Sequence, residues 1–405
     1  MIPILLDPRI NVFCGDLNLF DECALSRPFD PLVCHFFDTF SRRVLSSSKA
    51  RIYPDLATFA FWCRQSNIKR LALEHQDQRV RIGLGMVFHV APSNVPVNCL
   101  YSLAFGLLAG NVNIVRLPSR LYEQVEWACQ IMQNLMNDVA FSPIAKRLLL
   151  IQYGHHDEVS RALSCACQGR MIWGGDETIK LFRTFPISVH AREIHFPDRT
   201  SLCVLRAESI LQCDALQLNR LAEGFYNDVF VMDQNACSSP HLICWMGDKT
   251  SIDQAQHVFW KMLAVVCDQR GTQEPVHSID KLSQACRDSI QRTEIQSIDW
   301  HNPRLFRVNL EKLPEDWLLL RGKNGYFYEL SCCEEQWDIV LDHITTKVQT
   351  LTYYGFEPEK LGRELLSRSV RGIDRIVPVG SALDMDLLWD GRLMIHELSR
   401  IIDVR

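Results

Sequence analysis

The sequence predicts an α/β protein: a doubly wound domain with a parallel sheet, followed by a second α/β domain. Three observations carry this. Short apolar runs alternate with helical patterns from Arg81 to Phe182. The first run, Ile82-Gly83-Leu84-Gly85-Met86-Val87-Phe88-His89-Val90, is apolar nearly throughout, as a strand covered on both faces should be. A second strand-rich region opens at Ser201-Leu202-Cys203-Val204-Leu205 and leads into a long helix over Ala215–Phe230. At 405 residues the chain is also too long for one compact core.

The elements follow in order. Residues 1–75 are mixed, with a helix expected around Leu56–Arg70. After the strand at Ile82–Val90, Pro92-Ser93-Asn94-Val95-Pro96 makes a turn. An apolar helix from Val97 to Leu108 stops at Gly110-Asn111. Strand Asn113–Leu117, amphipathic helix Leu121–Met136 and strand Arg147–Gln152 continue the alternation. A helix at Asp157–Cys167, a strand at Met171–Trp173 and a helix from Gly174-Gly175 through Phe182 complete it. The expected divisions are 1–202, 203–375 and a C-terminal segment 376–405 that packs back or serves oligomerisation.

Composition excludes several classes. A hydrophobic fraction of 47% with 22% charged residues is ordinary for a globular protein. A net charge of −5 without a basic run gives no footprint for nucleic acid or anionic lipid. No stretch of about 18 apolar residues is present, so no integral membrane segment is expected. Met1-Ile2-Pro3-Ile4 does not read as a signal peptide, and the 16 cysteines then read as reduced thiols of a cytoplasmic protein. Cys165-Ala166-Cys167 and Cys332-Cys333 are close pairs, but no paired CxxC framework calls for a metal.

Four segments can carry chemistry. Asp233-Gln234-Asn235-Ala236-Cys237-Ser238-Ser239-Pro240 places one cysteine among small and polar residues just after a helix. Cys237 is either a nucleophile for acyl, thioester or aldehyde chemistry, or a packed thiol. Asn94, held between two prolines at a strand end, either donates its carboxamide to an oxyanion or caps the next helix. Arg116 and Arg120 flank the end of a strand where doubly wound domains bind nucleotides, and either bind phosphate or are solvated. Gly174-Gly175 could bring backbone N–H groups to a pyrophosphate or simply make the turn.

Taken in order, these segments resemble the aldehyde dehydrogenase superfamily, and more closely the LuxC-type acyl-CoA reductases. The residues carrying the resemblance are Pro92–Pro96, Ala109-Gly110-Asn111 with Arg116, Trp173-Gly174-Gly175-Asp176-Glu177 and Asp233–Pro240. Val348-Gln349-Thr350-Leu351, Arg371-Gly372-Ile373-Asp374-Arg375-Ile376 and Trp389-Asp390-Gly391 extend it, so that it spans roughly residues 80 to 400. The resemblance implies an aldehyde-dehydrogenase-like fold with the cofactor domain in 1–202 and the catalytic domain in 203–375. It implies Cys237 as the nucleophile, with Asn94 and the Cys237 backbone N–H as the oxyanion hole. Arg116 stands where the superfamily usually has a lysine for the cofactor, and Gly174 and Gly175 open the helix beside the pyrophosphate.

Two departures sharpen the implication. Where hydrolysing members carry a glutamate base, this chain reads Glu193-Ile194-His195-Phe196, with His195 at the glutamate's place. His195 is then a proton-transfer candidate or a partly buried strand histidine. Reduction to an aldehyde needs no activated water, so the loss suits a reductase. Where an acid often binds the adenosine ribose, the chain has Pro118-Ser119-Arg120, which favours NADPH over NADH. The expected donor is acyl-CoA or an acylated carrier protein, with an acyl-protein synthetase or acyltransferase as a possible partner and a homo-oligomer implied by the superfamily. The competing readings are a nicotinamide-independent acyltransferase or thioesterase, and a non-catalytic subunit.

Overall fold

The computed structural model describes residues 2–75, 79–270 and 275–405. The chain forms two compact units, Met1–Asp198 with Met385–Arg405, and Arg199–Asp384. The breaks fall at 198/199 and 384/385, where the sequence reading placed them at 202 and 375. Strand pairing sets the first break, because Thr200 begins a strand that belongs wholly to the second unit's sheet.

The first unit contains strands β1 (Asn11–Cys14), β2 (Val80–Gly83), β3 (Met86–Val90), β4 (Val112–Arg116), β5 (Leu148–Gln152), β6 (Gly169–Trp173) and β7 (Arg192–Phe196). Its helices include α1 (Pro31–Leu45), α2 (Pro54–Trp62), α3 (Gln65–Glu74), α4 (Asn98–Leu108), α5 (Glu123–Met136), α6 (Ser142–Ala145), α7 (Asp157–Ala166) and α8 (Asp176–Arg183). The six-stranded sheet runs β1-β5-β4-β3-β6-β7, parallel except for β1. Strand order reverses between β3 and β6, which makes their carboxyl ends the switch point of a doubly wound sheet.

Two sequence expectations are corrected. The single strand over Ile82–Val90 is two strands in different sheets: β2 pairs antiparallel with Ser399–Ile402, while β3 joins the main sheet. Gly85 separates them at φ +147°, a region open to glycine, where a Cβ would lie 2.4 Å from the Gln168 carboxamide. The helix expected over Leu56–Arg70 is likewise two, α2 and α3. They break at Cys63-Arg64, where the Asn67 side chain donates to the freed Trp62 carbonyl at 2.8 Å.

The apolar runs are buried on both faces. Met86, Phe88 and Val90 pack with Val159, Leu163, Ile179 and Phe182 of α7 and α8. His89 points the other way, toward α4, and bonds Ser102 at 2.7 Å and Asn113 at 3.0 Å. Trp173 Nε1 also donates to Ser102 at 2.9 Å. The Asn113 amide donates to the Asn111 carbonyl, so its oxygen accepts from His89 Nε2–H. Burial lowers the His89 pKa to about 4, so the ring is neutral at neutral pH.

The second unit has β8 (Thr200–Arg206), β9 (Pro240–Met246), β10 (Ile295–Asn302), β11 (Leu305–Leu310), β12 (Tyr326–Cys332), β13 (Val348–Tyr354) and β14 (Arg375–Pro378). Its helices are α9 (Ala207–Leu211), α10 (Ala215–Phe230), α11 (Lys249–Arg270), α12 (Pro275–Gln291), α13 (Glu334–Asp342) and α14 (Pro358–Ser367). The sheet order is β10-β11-β12-β9-β8-β13-β14, parallel except between β10 and β11. Helix α10 starts at a reciprocal cap between Asp214 and Gln217 and buries Leu221, Ala222, Phe225 and Val229 against the sheet. Among the described residues, no helix is long and apolar enough to cross a membrane. None of their acidic, histidine and cysteine side chains form a group fit to hold a metal.

Candidate active site

In the first unit, the loops after β3, β4 and β6 leave one edge of the sheet, at the switch point. The loop after β3 carries Asn94, which is exposed. The N-cap of α4 is Val97, with no side-chain bond to the helix, and Asn94 stands three residues ahead of it. Tyr122 donates its hydroxyl to the Ser93 carbonyl at 2.8 Å, tying this loop to the one after β4.

Arg116 ends β4. Its guanidinium lies 4.6 Å over the Tyr153 ring and donates to the Gly154 carbonyl at 3.3 Å. Its Nε is buried and has no partner among the described residues. Ser119 and Arg120 follow, both exposed; Gln152 fixes the turn by donating to the carbonyls of Pro118 at 2.6 Å and Ser119 at 3.1 Å. Gly175 caps α8, and a Cβ there would meet nothing within 4 Å, so a ligand has open approach to the helix start. Asp176 and Glu177 occupy the first turn and already face the positive end of the helix. Phosphate charge is thus better matched by the arginines than by α8. The unsatisfied Arg116 Nε and the open Gly175 both fit a dinucleotide at this edge.

His195 lies in β7, where Arg183 donates to its Nε2 at 3.2 Å. The ring is therefore neutral with the proton on Nδ1, a buried atom without a partner among the described residues. Burial lowers its pKa, helped by Arg183 and Arg392 and opposed by Glu193. Glu193 itself is bound in an ion pair: it accepts from Nε of the buried Arg170 at 2.8 Å and lies 3.5 Å from Arg183. Strand β7 thus carries a charge cluster, which holds both of the residues at the missing glutamate's place.

In the second unit, Cys237 sits between α10 and β9, ahead of the amino end of β9. The turn is unusual. Asp233 and Gln234 have φ of +49° and +61°, a left-handed region that non-glycine residues enter only when other contacts hold them there. Gln234 supplies those contacts. Its buried carboxamide donates to the carbonyls of Pro240 and Tyr326, each at 3.1 Å, and accepts from Gly325 N–H at 3.1 Å. Ser201 donates to the Cys237 carbonyl at 2.7 Å and accepts from Thr350 N–H at 3.1 Å. Ser239 donates to the Asp228 carbonyl at 2.7 Å.

Cys237 is half-buried, unlike nine of the sixteen cysteines, which are buried. Burial pushes the thiols of Cys167, Cys203 and Cys267 up to about 12, so these stay protonated and inert at neutral pH. Sequence reasoning missed Ser201, Asp228 and the side-chain role of Gln234. Only Gln234 left a signal, as a large polar residue in a turn of small ones.

A family model described as acyl-CoA reductase (LuxC) matches residues 64–294. The long-chain acyl-protein thioester reductase of Vibrio harveyi is 22% identical over 307 residues, covering 73% of this chain and 58% of the relative. A second long-chain acyl-protein thioester reductase, from Photobacterium leiognathi, is 24% identical over 171 residues, 42% of this chain and 33% of its own. The chain thus spans less than two thirds of the curated relatives it matches. Among solved structures, the glyceraldehyde-3-phosphate dehydrogenase GapN of Methanocaldococcus jannaschii, complexed with NADP, superposes with TM-score 0.61 at 13% identity over 94% of this chain and 90% of its own. An aldehyde dehydrogenase of Burkholderia cenocepacia gives 0.63 at 11% identity, covering 91% of this chain and 84% of its own. The fold is accordingly that of the aldehyde dehydrogenases. With more than half of its length matched by the family model, the chain belongs to the LuxC acyl-CoA reductase family.

Proposed function

We propose that the protein reduces an acyl thioester to an aldehyde, with Cys237 carrying the acyl group between the two half-reactions. The observation that supports it most is the Cys237 turn: a half-buried thiol on two left-handed residues, held by the side chains of Gln234 and Ser201 and by Ser239. Such a turn fixes a nucleophile, and membership of the LuxC family gives the class of its substrate.

In this reading the Cys237 thiolate attacks the thioester carbonyl and a tetrahedral oxyanion forms. Asn94 supplies a carboxamide donor to that oxygen, with the Cys237 backbone N–H as the second donor. The C–S bond to the carrier breaks, the carrier thiolate leaves, and the acyl group remains as a thioester of Cys237. A nicotinamide cofactor, when bound, supplies the hydride that reduces this thioester. Hydride addition leaves a thiohemiacetal oxyanion on Cys237; its C=O bond re-forms as the C–S bond breaks, and the aldehyde departs from the restored thiolate. No step needs an activated water, in keeping with Glu193 being held by Arg170. His195 is the candidate we assign to proton transfer. Its neutral ring keeps an Nδ1–H without a partner among the described residues, and the reading does not depend on it.

Arg116, Ser119, Arg120, Gly174 and Gly175 are the residues assigned to the cofactor, which we take to be NADPH. No acid stands between Leu117 and Tyr122, and the first one beyond, Glu123, accepts the Tyr53 hydroxyl at 2.6 Å. A 2′-phosphate therefore meets arginine rather than carboxylate. The acyl donor is acyl-CoA or an acylated protein; the names of the relatives favour the latter.

The test is turnover of acyl-CoAs of graded length, followed by NADPH oxidation with aldehyde trapping and by intact-protein mass spectrometry. Wild type forms aldehyde, prefers NADPH to NADH and gains one acyl group at Cys237. Cys237→Ala abolishes turnover and acylation together. Asn94→Ala acylates about 10²- to 10³-fold more slowly, the usual loss for one oxyanion donor. An active Cys237→Ala chain overturns the reading. Acylation of Cys237 without NADPH oxidation would instead support an acyltransferase or thioesterase.

A further inference from the structure

The Arg371–Ile376 segment takes no part in the proposed chemistry, yet it leads into an unusually well-held loop. Beyond β14, residues 379–384 lie on the last turns of α10, the helix that delivers the Cys237 turn. Asp228, 1% exposed, accepts from Gly380 N–H at 2.7 Å and from Ala382 N–H at 2.8 Å, one with each oxygen. Its backbone carbonyl receives the hydroxyl of Ser239, two residues past Cys237. Arg375 holds the other side of the loop, donating to the carbonyls of Ala382 at 3.0 Å, Ser381 at 3.4 Å and Asp384 at 2.8 Å.

Glycines make the approach possible. Gly380 has φ +102°, and a Cβ on Gly224 would lie 3.1 Å from the Val379 carbonyl and 3.2 Å from Gly380 Cα. Two glycines, two N–H groups on a buried carboxylate and three carbonyls on one guanidinium all serve the same contact. One such contact would be ordinary loop packing. Together they fix one short loop against the helix turn that also anchors Ser239.

We propose that Asp228 and Arg375 are positioning residues for the Cys237 reaction, clamping the 379–384 loop to the end of α10 so that the nucleophile's turn stays in place. The inference rests on the reading of Cys237 as the nucleophile. Full strength needs the ionised carboxyl, because a protonated one gives up acceptor capacity to the two N–H groups. Burial pushes the Asp228 carboxyl up to about 7, with the Gly380 and Ala382 N–H groups opposing; of the charged neighbours, Asp384 raises it and Arg375 lowers it. The Cys203 thiol of β8 also senses Asp228, which raises it.

The test uses the full chain, with decanoyl-CoA as acyl donor and peptide mass spectrometry reading the rate of acylation at Cys237. Asp228→Asn is compared with wild type, with circular dichroism to show that both are folded. We expect the variant to acylate about tenfold more slowly at pH 8 and to approach wild type at about pH 6, where the native carboxyl is itself protonated. A lesion of packing alone would slow the variant by the same factor at every pH, and that result, or equal rates throughout, overturns the clamp. If Asp228→Asn does not fold, Arg375→Lys replaces it: it keeps the charge, cannot span three carbonyls, and must also slow acylation several-fold. Failure of the nucleophile reading looks different, since wild type itself would then carry no acyl group at Cys237.

Discussion

Asp228 shows what burial does to a single ionisable side chain. The unfolded chain releases this proton near 3.8, whereas the folded protein keeps it up to about 7. Between these values the native state binds more protons than the unfolded one, so this residue's contribution to stability falls as pH rises. His89 and His241 act in the opposite sense. Burial lowers them to about 4 and about 3, against 6.5 when unfolded, so their contribution is lost as pH falls below 6.5. The Asp228 part can be isolated. In urea denaturation between about pH 4.5 and 6.5, wild type should lose stability relative to Asp228→Asn by about 1.4 kcal/mol per pH unit as pH rises. A difference that stays constant with pH would show that Asp228 ionises normally. None of this was visible in the sequence, where Asp228 is one acid of 48 at an unremarkable helix position.

Helix α4 crosses β3 and β4 at close range, and the contact depends on one residue. A Cβ on Gly106 would lie 1.8 Å from the Asn113 side-chain oxygen and 3.0 Å from His89 Nε2. Both atoms belong to the buried network of His89, Ser102, Asn113 and Trp173, so neither can yield without leaving a polar group unpaired. Gly106→Ala should therefore cost about 2–4 kcal/mol, read as a lower melting temperature with little change in circular dichroism at room temperature. At this scale the sequence was largely legible. Helix α10 spans the expected Ala215–Phe230, because a polar cap and an amphipathic stripe both mark it. The apolar run at Ile82–Val90 misled, because apolarity reports burial and says nothing about which sheet a strand joins; Gly85 made the division. The register of β7 was similarly silent about Arg170, whose guanidinium pairs with Glu193.

Across the whole molecule, sixteen thiols are sorted by exposure. Cys23, Cys165, Cys286 and Cys333 are exposed and nine others are buried. A neutral alkylating reagent on the native protein should label these four first, then the half-buried Cys34, Cys213 and Cys237, and reach the nine only on unfolding; early labelling of Cys63 or Cys203 would contradict the fold. Within the second unit, Cys237 lies ahead of the amino end of β9, whereas open α/β sheets commonly bind ligands at the carboxyl ends of their strands. In the first unit, Asn94, Arg116, Ser119, Arg120, Gly174 and Gly175 stand at the carboxyl edge of one sheet. Periodicity, caps and short-range spacing are local properties, so the sequence alone was enough for the α/β class, for the limits of helices such as α4, α7 and α10, and for the motif around Cys237. Only tertiary structure decided that Gln234, Ser201 and Asp228 hold that motif. Their partners lie at Tyr326, Thr350, Gly380 and Ala382, and hydrogen bonds across such separations leave no pattern in the order of residues.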